Sequence, residues 1–191
     1  MAATSTEQLA CMLQSLVARE GVSALGVFPA DQVPAIDRAM HCSFILNTDP
    51  RGLPGEHWLA FFYNHYVDKL EYFDSYGMGL EAYGDVYDSL HSRGLTAMCT
   101  PANSIGCLQS DVSLVCGHYC IAFLHWRAKN ISAPPAHFSI SLATAYSTGI
   151  QRDKYALKIV RDLLLRGNCC VDMLERSECS QSCTCVASRP I

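Results

Sequence analysis

Residues 57–74 read HWLAFFYNHYVDKLEYFD, which is two apolar runs joined by a polar connection. The runs at residues 58–63 and 70–73 predict two strands of an antiparallel hairpin. When the turn is centred in the polar connection, the simplest register places His57 directly opposite Asp74. Residues paired in this way share a face of the sheet, with Cβ atoms about 5 Å apart.

This pairing of His57 with Asp74 has a chemical consequence. A carboxylate beside an imidazole orients the ring and decides which ring nitrogen carries the proton. The alternative is an incidental ion pair on an edge hairpin. We favour a functional pair because both residues lie at the ends of strands, where catalytic groups are accessible.

A second candidate is Cys116, near the start of a long apolar segment at residues 113–128. This segment has few charges and predicts a buried helix, with Asp111 or Ser113 as its N-cap. A thiol in the first turn of a helix lies near unpaired N–H groups, which favour the thiolate and lower its pKa. The alternative is that Cys116 is only a small buried hydrophobic residue.

The third candidate is Gln109, which lies seven residues before Cys116. A thiolate that attacks a carbonyl builds an oxyanion, which needs hydrogen-bond donors. The backbone N–H of Cys116 could supply one donor and the side-chain amide of Gln109 another. Gln109 attracts interest only because of its position relative to Cys116.

The remaining periodicity indicates the class of fold. A capping box at Thr4–Glu7 predicts an N-terminal helix, and the run Cys42–Asn47 predicts a buried strand. A helix is expected at residues 80–90 and another at 153–166, whereas residues 26–34 are expected to be loop. This order of helix, strands, central helix and late helix predicts an α+β fold.

Composition excludes several classes of protein. The chain has 191 residues, of which 50% are hydrophobic and 17% charged, so it can bury the core of one domain. The formal net charge of −4 argues against a protein that coats nucleic acid. No run is long enough to predict a membrane span, and the first residues do not resemble a secretory signal.

The sequence contains 11 cysteines, an odd number with no export signal, which predicts mostly free thiols in a reducing compartment. We expect a domain at residues 1–166 and a cysteine-rich tail at residues 167–191. Zinc prefers paired cysteines with a long spacer, which the tail lacks, so no metal site is predicted. The tail cysteines are Cys169, Cys170, Cys179, Cys183 and Cys185.

Four separated motifs resemble the adenovirus protease (adenain) family, which is related to the Ulp1-type SUMO proteases. They are the pair His57–Trp58, YFDSYG at residues 72–77, LQS at residues 108–110, and VCGHYC at residues 115–120. Their order and spacing extend the resemblance over about residues 25–128. The resemblance implies a papain-like cysteine protease, with a central buried helix carrying the nucleophile and a mixed or antiparallel sheet carrying His and Asp.

The resemblance also implies a role for each motif residue. Cys116 would be the nucleophile, His57 the general base, Asp74 the group that orients it, and Gln109 the oxyanion donor. Trp58 would form a wall of the substrate cleft. The adenovirus enzymes have Glu at the position of Asp74, whereas the cellular relatives have Asp.

Other features of the family transfer less directly. A tyrosine that stacks near the catalytic ring would correspond to Tyr87. An activating peptide is joined to the family's enzymes through a disulfide, for which Cys99 is the better match and Cys107 the alternative. Adenain is basic and stimulated by DNA, whereas the acidic balance of this chain argues against more than weak DNA binding.

The function implied is a cysteine endopeptidase that needs no cofactor for its chemistry. It would cleave viral precursor and capsid proteins at Gly-containing sites during virion maturation, in the host nucleus and the virion. One alternative is a deconjugating protease for SUMO or ubiquitin. Another is a non-catalytic interaction module, in which Cys116 would react no faster than other thiols.

Overall fold

The computed structural model describes residues 4–17 and 20–166, so the predictions for the tail at 167–191 lie outside the described residues. The described residues form an α+β fold in which a five-stranded sheet is covered on both faces. Of the helices in these two ranges, none is long and apolar enough to cross a membrane.

The strands lie in the sheet in their sequence order, which is β1 (Ser23–Phe28), β2 (Cys42–Asn47), β3 (Trp58–Asn64), β4 (Lys69–Phe73) and β5 (Cys99–Pro101). The two central pairings, β2 with β3 and β3 with β4, are antiparallel. The two outer pairings are parallel. The predicted α+β fold is therefore confirmed, and its sheet is mixed.

In the described part of the chain, five α-helices surround the sheet. They are α1 (Thr6–Leu16), α2 (Gly84–Ser92), α3 (Cys116–Lys129), α4 (His137–Ala145) and α5 (Gly149–Arg166). Helix α3 is the central one, and its residues are buried around most of its circumference. A helix that is enclosed in this way needs apolar residues on all sides, which explains the long apolar segment in the sequence.

Alternate side chains of β3 enter two different cores. Helices α1, α3, α4 and α5 contribute to the core on one face of the sheet, together with Trp58, Ala60 and Phe62. Helix α2 packs on the other face, against Leu59, Phe61 and Tyr63. Because both faces of β3 are covered, all its residues are buried and the strand is almost entirely apolar.

The hairpin of β3 and β4 forms as predicted, but its register differs by two residues. Ala60 pairs with Phe73, so the position opposite Asp74 is that of Leu59 and not of His57. The turn takes up residues 65–68, with Asp68 in the left-handed region at φ 49°. A shift of two residues keeps every side chain on its predicted face, and His57 becomes a diagonal neighbour of Asp74.

Local patterns missed two elements and misplaced one cap. Part of the predicted loop at 26–34 belongs to β1, where a bulge between Ala24 and Gly26 interrupts the alternation. Helix α4 was not predicted. The capping box exists one residue later than predicted, because Ser5 and Gln8 exchange the two hydrogen bonds.

A buried ion pair connects α3 to the sheet. Arg127 donates from Nε and Nη2 to the two carboxylate oxygens of Glu71 on β4, at 2.5 and 2.8 Å. The guanidinium also lies over the ring of Phe62, 5.2 Å from its centre. Both charged side chains are almost fully buried, so each is compensated only while the other is present.

We expect Glu71→Ala to lower the free energy of unfolding by about 3–5 kcal/mol, because it leaves the Arg127 charge buried without a partner. Urea denaturation would measure the change. Lys158→Ala, which breaks the exposed pair with Asp162 on α5, should cost about 0.5 kcal/mol or less. Equal losses for the two variants would contradict this account.

Candidate active site

The site is built around a hydrogen bond between His57 and Asp74. His57 immediately precedes β3, and Asp74 immediately follows β4. The Nε2 atom of His57 lies 2.6 Å from Oδ1 of Asp74, and both residues are buried. The diagonal arrangement in the hairpin therefore brings the two predicted residues into direct contact.

Asp74 is held by three further donors. Its Oδ1 accepts from the backbone N–H of Tyr76 at 2.9 Å. Its Oδ2 accepts from the backbone N–H of Met78 and from the hydroxyl of Tyr83, both at 2.8 Å. Burial raises the pKa of Asp74, but His57 and the two backbone N–H groups lower it by more than burial raises it. The pKa of Asp74 is therefore below its ordinary value, and the carboxyl group stays ionised at neutral pH.

Two tyrosine rings flank the imidazole of His57. The ring of Tyr76 is stacked at 4.6 Å between centres, and that of Tyr83 at 5.9 Å. The prediction that Tyr87 lies near the catalytic ring is wrong, because Tyr87 stacks on His91 on the same face of α2. Tyr83 precedes that helix by one residue and turns back toward Asp74.

Cys116 is the first residue of α3, and its side chain is 8% exposed. The N-cap is Val115, with no side-chain capping bond, so the prediction that Asp111 or Ser113 caps the helix is wrong. The hydroxyl of Ser113 instead donates to the carbonyl of Ser110. Without a side-chain cap, the first N–H groups of α3 remain available near the sulfur and can donate to a negatively charged group there.

The charge of His57 depends on both of its neighbours. Burial lowers the pKa of His57, but hydrogen bonds and charge from Asp74 and Cys116 raise it to about 9. Because Asp74 occupies Nε2, Nδ1 is the ring nitrogen that remains for the thiol. The arrangement therefore favours the imidazolium form of His57 at neutral pH.

Cys120, one turn further along α3, provides a contrast. Its thiol is completely buried and donates to the carbonyl of Trp58 at 3.3 Å. Burial raises its pKa well above the ordinary value of a thiol. Only the cysteine at the start of the helix therefore has the surroundings of a nucleophile.

Gln109 is fixed in the same region by its side-chain amide. Its Oε1 accepts from the hydroxyl of Ser75 at 2.8 Å, and its Nε2 donates to the carbonyl of Ser113 at 2.8 Å. A longer bond of 3.3 Å joins Nε2 to the hydroxyl of Tyr76. Tyr76 therefore contacts both His57 and Gln109, and the four residues predicted from the sequence share one site.

A cleft of about 540 Å³ opens in front of Cys116. The start of α1 and the loop at residues 49–56 form its outer walls. The predicted residues Trp58, Gln109 and Cys116 also line it, together with Tyr76. An extended peptide could therefore approach the sulfur along this cleft.

The two cysteines considered for a peptide disulfide have different surroundings. Cys99 lies in β5 and is half-buried, and burial raises the pKa of its thiol to about 11. Cys107 is exposed and lies two residues before Gln109. Within residues 4–17 and 20–166, no three histidine, cysteine or acidic side chains are grouped so that they could hold a metal ion.

The sequence profile of the family described as adenovirus endoprotease matches residues 24–140, which is more than half of the chain. The chain belongs to the adenovirus endoprotease family. The resemblance inferred from the four motifs is thereby confirmed.

Two adenovirus endoproteases show the extent of the similarity. The protease of Porcine adenovirus A serotype 3 is 27% identical over 122 residues, which is 59% of this chain and 60% of that protein. The protease of Human adenovirus B serotype 3 is 29% identical over 119 residues, 56% of this chain and 55% of that protein. The match thus spans less than two thirds of each viral protease.

Solved structures of lower similarity include two from Chlamydia trachomatis. ChlaDub1 is 13% identical, with a TM-score of 0.46, over 87% of this chain and 82% of that chain. The effector protein Cdu1 bound to ubiquitin is 14% identical, with a TM-score of 0.47 and the same coverage of both chains.

Motif reasoning missed three residues that hold the site of this member of the family. Ser75 and Tyr76 lie inside the quoted YFDSYG motif, and they bind Gln109 directly. A correct register would have indicated Tyr76, because extending the pairing of β3 with β4 places it opposite His57. Tyr83 had no signal in the local pattern, because nothing there distinguishes it from Tyr87.

We expect the pKa of His57 to be about 9, and Asp74→Asn to lower it by about 1–3 because the negative partner is lost. Below this pKa the ring is an imidazolium, and it loses its proton as the pH rises through it. NMR titration of ¹⁵N-labelled histidine would follow the ring directly. Tyr87→Phe should leave the titration of His57 unchanged, whereas an unaltered pKa in Asp74→Asn would contradict the assignment.

Proposed function

We propose that this chain is a cysteine endopeptidase with Cys116 as nucleophile. The observation that carries the proposal is the linked series Cys116, His57 and Asp74, in which Cys116 lines a cleft. Membership of the adenovirus endoprotease family supports it. The chemistry needs only these side chains and water, so no cofactor is part of the proposal.

The first half of the reaction forms a thioester. The Cys116 thiolate attacks the scissile carbonyl carbon, and the carbonyl electrons move onto oxygen. The backbone N–H of Cys116 and Nε2 of Gln109 then stabilise the oxyanion. As the intermediate collapses, the imidazolium of His57 protonates the leaving amine and the C–N bond breaks.

The second half returns the enzyme to its starting state. Neutral His57 removes a proton from water, which attacks the thioester and releases a carboxylic acid and the thiolate. Asp74 keeps its charge throughout, and it holds the ring and stabilises the imidazolium. Gln109 Nε2 has one firm bond to Ser113, and its longer contact with Tyr76 is the one that an oxyanion can replace.

The substrates that we propose are viral precursor and capsid proteins, cut at Gly-containing sites in the host nucleus and the virion. The cleft supports this class because Trp58 and Tyr76 form apolar walls close to the sulfur. Glycine, which has no side chain, fits best between such walls. With 14 basic against 18 acidic residues, the chain has little charge for DNA, so we propose at most weak stimulation by DNA.

Cys116→Ala should reduce peptide cleavage by about 10⁶-fold, to background, because the nucleophile is lost. Gln109→Ala should lower kcat by about 10²–10³-fold through loss of one oxyanion donor. The assay is hydrolysis of a fluorogenic Leu-x-Gly-Gly peptide by the full chain. The matched control is Cys120→Ala, which removes a buried thiol of the same helix and should retain kcat.

The same assay with SUMO and ubiquitin fluorogenic substrates tests the alternative. Faster cleavage of a folded modifier than of the peptide would indicate a deconjugating protease. No cleavage of either substrate, with Cys116 alkylated by N-ethylmaleimide no faster than Cys42 or Cys11, would indicate a non-catalytic module. The second result would overturn the proposed function.

We further propose that any activating peptide is joined through Cys107 and not through Cys99. Burial raises the pKa of both thiols, that of Cys99 to about 11, but Cys107 is exposed whereas Cys99 is half-buried, so Cys107 is the more accessible to a peptide. Under oxidising conditions with a cysteine-containing peptide, Cys107→Ser should lose most of the adduct and Cys99→Ser should keep it. Mass spectrometry would measure the adducts, and the reverse pattern would indicate that the peptide is joined through Cys99.

A further inference from the structure

The segment at residues 108–113 carries Gln109 but belongs to no helix or strand. An oxyanion donor must be held in place within a fraction of an ångström, and a loop alone does not provide this. The contacts that hold the segment therefore determine how well Gln109 can work.

The sheet holds one side of this segment. The carbonyl of Ser75 accepts from the backbone N–H groups of Leu108 and Gln109, at 2.8 and 3.1 Å. The Ser75 hydroxyl also donates to the side chain of Gln109. These bonds connect Gln109 to the residue that follows Asp74.

Asp153 on α5 holds the other side. Its carboxylate accepts from the backbone N–H of Ser110 at 3.3 Å and from the hydroxyl of the same residue. It also accepts from the hydroxyl of Tyr119 at 3.0 Å. Tyr119 lies in α3, so one carboxylate joins the segment after Gln109 to the helix that begins with Cys116.

Two neighbours of Asp153 strengthen this attachment. Nε of Arg152 donates to the carbonyl of Leu108 at 2.8 Å, on the other side of Gln109. Gly149 lies so close to the segment that an added Cβ would be 3.0 Å from the backbone of Ser110. The first turn of α5 therefore packs directly on the backbone that surrounds Gln109.

The chemistry of Asp153 sets it apart from an ordinary buried ion pair. Its side chain is 6% exposed, and the hydrogen-bond donors that the described residues offer it are all neutral. Burying a carboxylate with neutral donors is costly, because water solvates the charge better. A carboxylate is nevertheless useful here, because it accepts several hydrogen bonds at once and accepts them strongly.

We propose that Asp153 is a positioning residue for the oxyanion hole, acting through Gln109. It holds residues 108–113 between α5 and α3, so that the amide of Gln109 points to the place where the oxyanion forms. This inference rests on the proposed peptidase function. It makes α5, which is remote from the cleft in sequence, a part of the catalytic apparatus.

A double-mutant cycle between Asp153 and Gln109 tests the proposal. Asp153→Ala should lower kcat on the Leu-x-Gly-Gly peptide by about 10–100-fold, the effect of a displacement near 1 Å, with KM nearly unchanged. In the Gln109→Ala background the same substitution should lower kcat by less than about twofold, because the group it positions is already absent. The control Asp162→Ala, also on α5, should leave kcat unchanged.

Alkylation of Cys116 by iodoacetamide separates positioning from general damage. This reaction reports the thiolate and needs no oxyanion hole, so its rate in Asp153→Ala should equal that of the native chain. Should Asp153→Ala unfold at the assay temperature, Asp153→Asn takes its place in the cycle, because its amide oxygen keeps only part of the hydrogen bonding.

The outcomes separate the two proposals. Two results would overturn the positioning role alone, provided that the native chain cleaves the peptide. In the first, Asp153→Ala has no effect on kcat. In the second, it lowers kcat as much in the Gln109→Ala background as in the native chain. A kcat loss that is matched by slower alkylation overturns it as well. A native chain that is inactive, with an unreactive Cys116, overturns the proposed function and this inference together.

Discussion

The hydrogen bond from His57 to Asp74 depends on the hairpin, and the rest of the site depends on that bond. It connects the residue before β3 to the residue after β4, so the pairing of two strands determines the separation of the two side chains. A buried carboxylate needs several donors, and Asp74 obtains them from Tyr76, Met78 and Tyr83. The imidazole is consequently held in one orientation, with one ring nitrogen directed away from the carboxylate.

The two buried ion pairs described above, Glu71 with Arg127 and His57 with Asp74, have different roles. In the pair of Glu71 with Arg127, both carboxylate oxygens accept from the guanidinium, which cannot release a proton at accessible pH. That pair can only connect α3 to the sheet. In the pair of His57 with Asp74, the imidazole keeps a second nitrogen and a pKa of about 9, so it can exchange a proton with a neighbour.

The site draws on parts of the chain that are far apart in sequence. The start of α1 and the loop at 49–56 form walls of the cleft, the sheet supplies His57 and Asp74, and α3 supplies the thiol. Helix α5 contacts the segment around Gln109 from behind. A protein of this size can hold a precise site because the elements that form its core also support the site from several directions.

The sequence by itself determined β2, β3, β4 and α3, because each is a run of apolar residues whose period or length is local information. It also determined that His57 and Asp74 share a face, since a register error of two residues does not change which face a side chain occupies. The α+β class followed from the order of these elements.

Only the tertiary structure decided which residues surround that pair. Tyr83 and not Tyr87 reaches Asp74, and β1 lies beside β2 despite the bulge between Ala24 and Gly26. The contact of Asp153 with Ser110 likewise has no local signal. These contacts join residues that are separated along the chain, and their geometry depends on how helices pack on the sheet, which no repeating pattern of a single segment encodes.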